Sequence, residues 1–203
     1  MDIAERLLWK LPAPLRGNLK SFPVDIAFDR NLVDCPAEYR RRRPPQVSSG
    51  GRLIAGSNSP NIAISPNLTQ LQELTSSLHH ELIHWAVDFA PQAYRDRIKN
   101  LMRVRTGGFS EPIVPLQQSH GVPYSPAVLG MRDDWADFEG DEYPGRVYAW
   151  ETHSPNGAEI PSVFLEKLEL HPSALLRYIN YYSHKSKSFA WREAFLESLS
   201  LFF

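Results

Sequence analysis

Apolar residues recur most regularly between Leu68 and Phe89, where Leu71, Leu74, Leu78, Leu82 and Trp85 fall three or four positions apart. That spacing places them on one stripe of a helix, and the stripe is its expected buried face. Ser65-Pro66-Asn67 supplies an N-cap region, and Pro91 ends this helix or opens a second over Gln92 to Val104, ahead of Gly107-Gly108. Upstream the period shortens. Phe22 to Phe28 reads as a strand, and Arg52 to Ala55 with Asn61 to Ile64 read as a hairpin around Gly56-Ser57-Asn58-Ser59-Pro60. Ile3 to Lys10 is a short amphipathic helix stopped by Pro12 and Pro14.

Downstream, residues 106–145 show little periodicity and much glycine and proline. A long irregular segment inside a domain is expected to be functional, as a lid or a substrate wall. It includes the acidic stretch Asp133 to Glu142, whose Trp135 and Phe138 either line a cleft favouring basic substrates or belong to a solvated loop. Arg146 to Trp150 is strand-like, and Glu159 to Leu170, Ser173 to His184 and Ser188 to Leu201 follow as helices. A hairpin, a long helix, a loop and further helices, with no internal repeat, predict an α+β fold.

Composition narrows the classes. The chain of 203 residues is 42% hydrophobic, which suits one domain over 1–203. Within it, 1–50 is expected to be an N-terminal extension and 50–185 the core. A net charge of −1 gives no global field for nucleic acid or anionic membrane. The run Arg40 to Arg43 therefore reads as a solvated loop before it reads as a nucleic-acid or acidic-partner contact. The one cysteine, Cys35, favours a reducing compartment. Neither a signal peptide nor a membrane-spanning run is visible, so a cytoplasmic location is expected.

The sharpest chemical signal lies on the long helix: His80-Glu81-Leu82-Ile83-His84. Imidazoles four residues apart on a helix share a face one turn apart, at a separation suited to one zinc ion. The glutamate between them is placed to act as a general base towards a water on that ion. A chain with this many histidines and glutamates yields the pattern by chance about 0.015 times, so two partly buried core histidines are the weaker reading.

Catalytic zinc needs three protein ligands and an open position, and a straight helix cannot wrap three around one ion. Asp88 lies on the same face but a turn too far along; it suits an imidazole N–H acceptor or an ordinary helix-end aspartate. His120 and His153 are loop histidines that suit ligand, proton-donor or plain surface roles. Glu159, in the first turn of Glu159 to Leu170, is the better candidate, set against simple compensation of the helix dipole. Pro161 is tolerated there because first-turn N–H groups have no intrahelical acceptor. Glu166, seven residues on, is placed to accept a hydrogen bond from a ligand histidine.

The pentad followed by a distant helical glutamate resembles the gluzincin branch of zinc metallopeptidases. More narrowly, Tyr143-Pro144-Gly145-Arg146-Val147-Tyr148 and Ala158-Glu159-Ile160-Pro161-Ser162-Val163-Phe164-Leu165-Glu166 resemble a "Y-x-G-[KR]-x-Y … T-E-I-x-S-x-x-x-E" pattern. That pattern is associated with metallopeptidase-like domains of phage head-morphogenesis proteins and bacterial relatives. Bacterial effector proteases are a second likeness. The likeness spans roughly residues 50–185; Ala158 replaces a threonine and Pro161 interrupts the pattern.

The resemblance implies a zincin-like fold, with Glu159 as the third zinc ligand beside His80 and His84. The expected activity is hydrolysis of a protein or peptide substrate, with Glu81 as base. An oxyanion donor is sought at Tyr148 or Tyr143, with His153 and His120 behind them. The alternative is a catalytically inactive zincin-fold binding or assembly protein, and less readily a nucleic-acid-associated one.

Overall fold

The computed structural model describes residues 24–32, 35–40, 46–47, 53–54, 62–118, 121, 123–131, 142–148, 156–170 and 196–199. These fall into two units, one up to Phe89 and one from Ala90. The first contains β1 (Ile26–Phe28), β2 (Ala37–Tyr39), β3 (Gln46–Val47), β4 (Leu53–Ile54), β5 (Ile62–Ile64) and helix α1 (Leu71–Asp88). The second contains α2 (Gln92–Arg105), β6 (Ile113–Pro115), β7 (Leu129–Met131), a 3-10 turn (Tyr143–Gly145) and α3 (Glu159–Leu170). The fold is α+β, as the element order predicts.

In the first unit the sheet order is β1–β5–β2. β5 runs parallel to β1, with Ile26 opposite Ile62, and antiparallel to β2, with Tyr39 opposite Ile62. Ile62-Ala63-Ile64 is apolar at every position and buried at every position. A strand with no polar face belongs in the middle of a sheet. Ile62, Ile64, Leu78 and Leu82 form the core between β5 and α1, flanked by Val24, Ile26, Tyr39, Leu68 and Leu74.

Two expectations are corrected here. The hairpin of 52–55 with 61–64 does not form: β4 pairs with β3, and β5 lies between β1 and β2. Turn residues mark a reversal without choosing a partner, and an all-apolar strand is better buried between two neighbours than paired at an edge. The long helix starts at Leu71 rather than Leu68. Ser65 makes a turn instead of a cap, its carbonyl accepting from Leu68 N–H at 3.2 Å and its hydroxyl from Asn67 N–H at 3.3 Å. Leu71 consequently lies beyond the core at 64% exposure, while Leu78, Leu82 and Trp85 are buried at 3% or less.

Arg40 is held by Asp29 and Glu38, each at 2.8 Å. The Asn31 backbone N–H and the Arg40 guanidinium hold the Asp29 carboxyl below its ordinary pKa. Arg41 to Arg43, Ile3 to Lys10 and Ser173 to His184 lie outside the described residues, as does Ser188 to Leu201 apart from helical residues 196–199.

In the second unit α2 buries Tyr94, Ile98, Leu101 and Met102, a helical stripe, and carries Arg103 and Arg105 at its C-terminal end where the dipole favours cations. The segment expected to be irregular holds an antiparallel pair, β6 with β7. Strands of three residues are too short to produce a readable alternation. Of the run expected to be strand-like, Arg146 to Tyr148 are described: after the 3-10 turn Arg146 forms one bridge to Gly130, and Val147 N–H donates to the Leu129 carbonyl at 2.9 Å. Ala149 and Trp150 are outside the described residues.

Gly130 makes this approach possible. A Cβ there would stand 2.4 Å from the Gly145 carbonyl oxygen and 2.9 Å from the Arg146 Cα. Among the described residues no helix is long and apolar enough to cross a membrane.

Candidate metal centre

His80 and His84 project from adjacent turns of α1, and both are half-buried. Their Nε2 atoms are 3.2 Å apart, with the rings edge to face at 71° and centroids 4.9 Å apart. Two nitrogens coordinated tetrahedrally at about 2.0–2.1 Å from zinc would be separated by about 3.3 Å. The observed pair matches that spacing. The stripe Leu78, Leu82 and Trp85 anchors the helix on its core side, so the imidazoles are carried on a backbone fixed by burial.

Glu81, between the histidines, is also half-buried. Its Oε2 accepts the Tyr39 backbone N–H at 2.6 Å. The Tyr39 hydroxyl donates to Asp88 Oδ2 at 2.7 Å. One residue at the end of edge strand β2 thus engages two carboxylates of α1, two turns apart. Asp88, an expected imidazole acceptor or helix-end aspartate, is here the acceptor for Tyr39. The role of Tyr39 carried no sequence signal, because 42 residues separate it from Glu81.

Glu159 stands at the first residue of α3 and is completely buried. The chain enters this helix through an Asx turn, Asn156 Oδ1 accepting the Ala158 N–H at 2.8 Å. Gly157 follows in the left-handed region at φ 70°, where a Cβ would crowd Ile160 and Met102 at 3.1 Å and the Ile98 carbonyl at 3.3 Å. Ile160, Val163, Phe164 and Leu165 are buried and pin the helix, so the Glu159 side chain is aimed by its neighbours.

A fully buried carboxylate must be compensated. The Tyr148 hydroxyl donates a hydrogen bond to Oε1. The Ser162 hydroxyl donates to Oε2 at 3.2 Å, and Arg146 Nη1 lies 3.8 Å from Oε1. The Arg146 guanidinium lies 4.5 Å from the Tyr148 ring centroid and 5.2 Å from that of Tyr143, and also donates to the Tyr143 hydroxyl. Burial, and then the adjacent Glu159 charge, push the Tyr148 pKa far above the ordinary tyrosine value. Tyr148 is therefore a hydrogen-bond donor throughout the ordinary pH range.

His80 and His84 belong to the unit that ends at Phe89, and Glu159 to the unit that starts at Ala90. Tyr148, sought as an oxyanion donor, points its hydroxyl at Glu159, and Tyr143 accepts from Arg146. Glu166 is half-buried on α3. His120, His153, Trp135 and Phe138 lie outside the described residues. Arg146 and Ser162 went unassigned in the sequence; Ser162, three residues after Glu159 on a helix, was the readable one.

No family model, curated protein or solved structure matches the chain.

Proposed function

We propose that the chain is a zinc-dependent peptidase with a zincin-like core, in which His80, His84 and Glu159 hold the metal and Glu81 is the general base. The observation that carries this reading is the imidazole pair of α1, whose Nε2 atoms stand 3.2 Å apart on either side of Glu81. Two nitrogens and one carboxylate oxygen are a donor set that zinc accepts in hydrolytic sites. When bound, the ion supplies Lewis acidity towards a peptide carbonyl and a water.

The chain's own residues do the rest. Glu81, one position from His80, takes the proton of the attacking water and returns it to the leaving amine. The Tyr39 N–H orients its carboxylate by holding Oε2, which leaves Oε1 to exchange the proton. Arg146 balances the Glu159 charge in its buried setting.

The test is metal content and turnover together. Purified protein is expected to carry about one zinc per chain. Glu81→Gln should keep that zinc while peptidase activity on a denatured-protein substrate falls about 10²–10⁴-fold. Protein that folds reversibly but has no zinc affinity defeats the metal reading. Zinc with no cleavage by the wild-type chain, and with Glu81→Gln harmless, favours a binding or assembly protein instead.

A further inference from the structure

Glu159 has no exposed surface, yet a metal ligand must present a free lone pair. A carboxylate has about four acceptor sites, so which are taken decides what it can still do. Ser162 is a divided partner: the same hydroxyl lies 3.2 Å from Oε2 and 3.1 Å from the Glu159 carbonyl oxygen. One hydroxyl proton cannot serve both fully, so Ser162 orients the carboxylate only in part. Arg146, at 3.8 Å, contributes charge without a close hydrogen bond. Tyr148 differs from both. It gives its hydroxyl hydrogen bond to Oε1, and its ring packs against the Arg146 guanidinium, which donates in turn to Tyr143.

We infer that Tyr148 is a positioning residue, whose hydroxyl locks the Glu159 carboxylate into its ligating orientation through Oε1. The inference rests on the metal-site reading above and names a role which that reading does not require. Freedom removed beforehand does not have to be removed when the ligand binds, so pre-orientation appears as affinity. Partners that orient a ligating group typically contribute about 10–100-fold in metal affinity. Tyr148→Phe isolates the effect, because it deletes the hydroxyl and keeps the ring beside Arg146.

The experiment is a double-mutant cycle on the full chain, with zinc affinity measured by chelator competition for wild type, Tyr148→Phe, Glu159→Ala and the double variant. Tyr148→Phe is expected to weaken zinc binding about 10–100-fold in the wild-type background. In the Glu159→Ala background the same substitution should change it less than about twofold, because the carboxylate through which it acts is gone. p-Aminophenylalanine at position 148, which restores a donor at the ring's end, should recover most of the loss.

Equal losses in both backgrounds would mean general damage and overturn the inference, as would no loss in the first. Failure of the restored donor to recover affinity overturns it too, and covers the case in which Tyr148→Phe folds poorly. All three leave the zinc reading standing. Wild-type chain with no zinc affinity removes both, and is recognised from the first titration.

Discussion

The two sources of the candidate ligands are built in opposite ways. His80, Glu81 and His84 are near neighbours on adjacent turns of one helix, half-buried, and their geometry follows from the helix alone. Glu159 is fully buried, and its environment draws on Tyr143, Arg146 and Tyr148 from the segment preceding its helix, and on Ser162 from the turn after it. The difference teaches where each half is vulnerable. A site carried on a regular helix loses its chemistry when a ligand is removed but keeps its fold. A charge buried among compensating donors is part of the fold, so its removal damages both.

The largest effect should therefore separate Glu159→Ala from His84→Ala in the apo protein. Glu159→Ala removes the carboxylate to which Tyr148 and Ser162 donate and whose charge Arg146 balances, and should cost about 2–3 kcal/mol. That is below the range for a fully buried pair because Arg146 is partly solvated. His84→Ala, at a half-buried position, should cost under about 1 kcal/mol while still abolishing tight zinc binding. Chemical denaturation of both variants without metal checks this, and equal losses would erase the distinction.

Gly130→Ala sharpens the comparison from a distance. A methyl group 2.4 Å from the Gly145 carbonyl must push the 3-10 turn away from β7, and Arg146 and Tyr148 follow that turn directly. A cost of about 1–3 kcal/mol is expected, accompanied by weaker zinc binding. Unchanged zinc affinity in a destabilised Gly130→Ala protein would show that the Glu159 environment does not depend on this backbone approach.

The smallest effect concerns the stripe on α1. Leu71→Ala should change stability by less than about 0.5 kcal/mol, because Leu71 is 64% exposed. Leu82→Ala, fully buried in the same stripe, should cost about 2–5 kcal/mol. Comparable losses at the two positions would place Leu71 in the core after all.

Much of this was readable beforehand wherever the signal was local. The helix carrying the histidines, the second helix from Gln92 and the helix from Glu159 to Leu170 all follow from spacing, proline positions and apolar faces. The pairings were not readable. Turn residues at 56–60 suggested a hairpin, but strand partners are chosen by which apolar faces can be covered, and β5 found β1 and β2. The strands β6 and β7 were too short to show an alternation, and their closeness to Arg146 rests on the missing side chain of Gly130.

The sequence by itself determined the candidate donors: two histidines on adjacent turns of a helix with a glutamate between them, and a second glutamate at the head of a later helix. Periodicity and residue type carry that information, because both act over a few residues. Only the tertiary structure decided that Tyr39 holds Glu81 and anchors Asp88, and that Tyr148, Arg146 and Ser162 surround the buried Glu159 carboxylate. Such hydrogen bonds and charge contacts depend on what burial brings together, and most of them leave no mark on residue spacing.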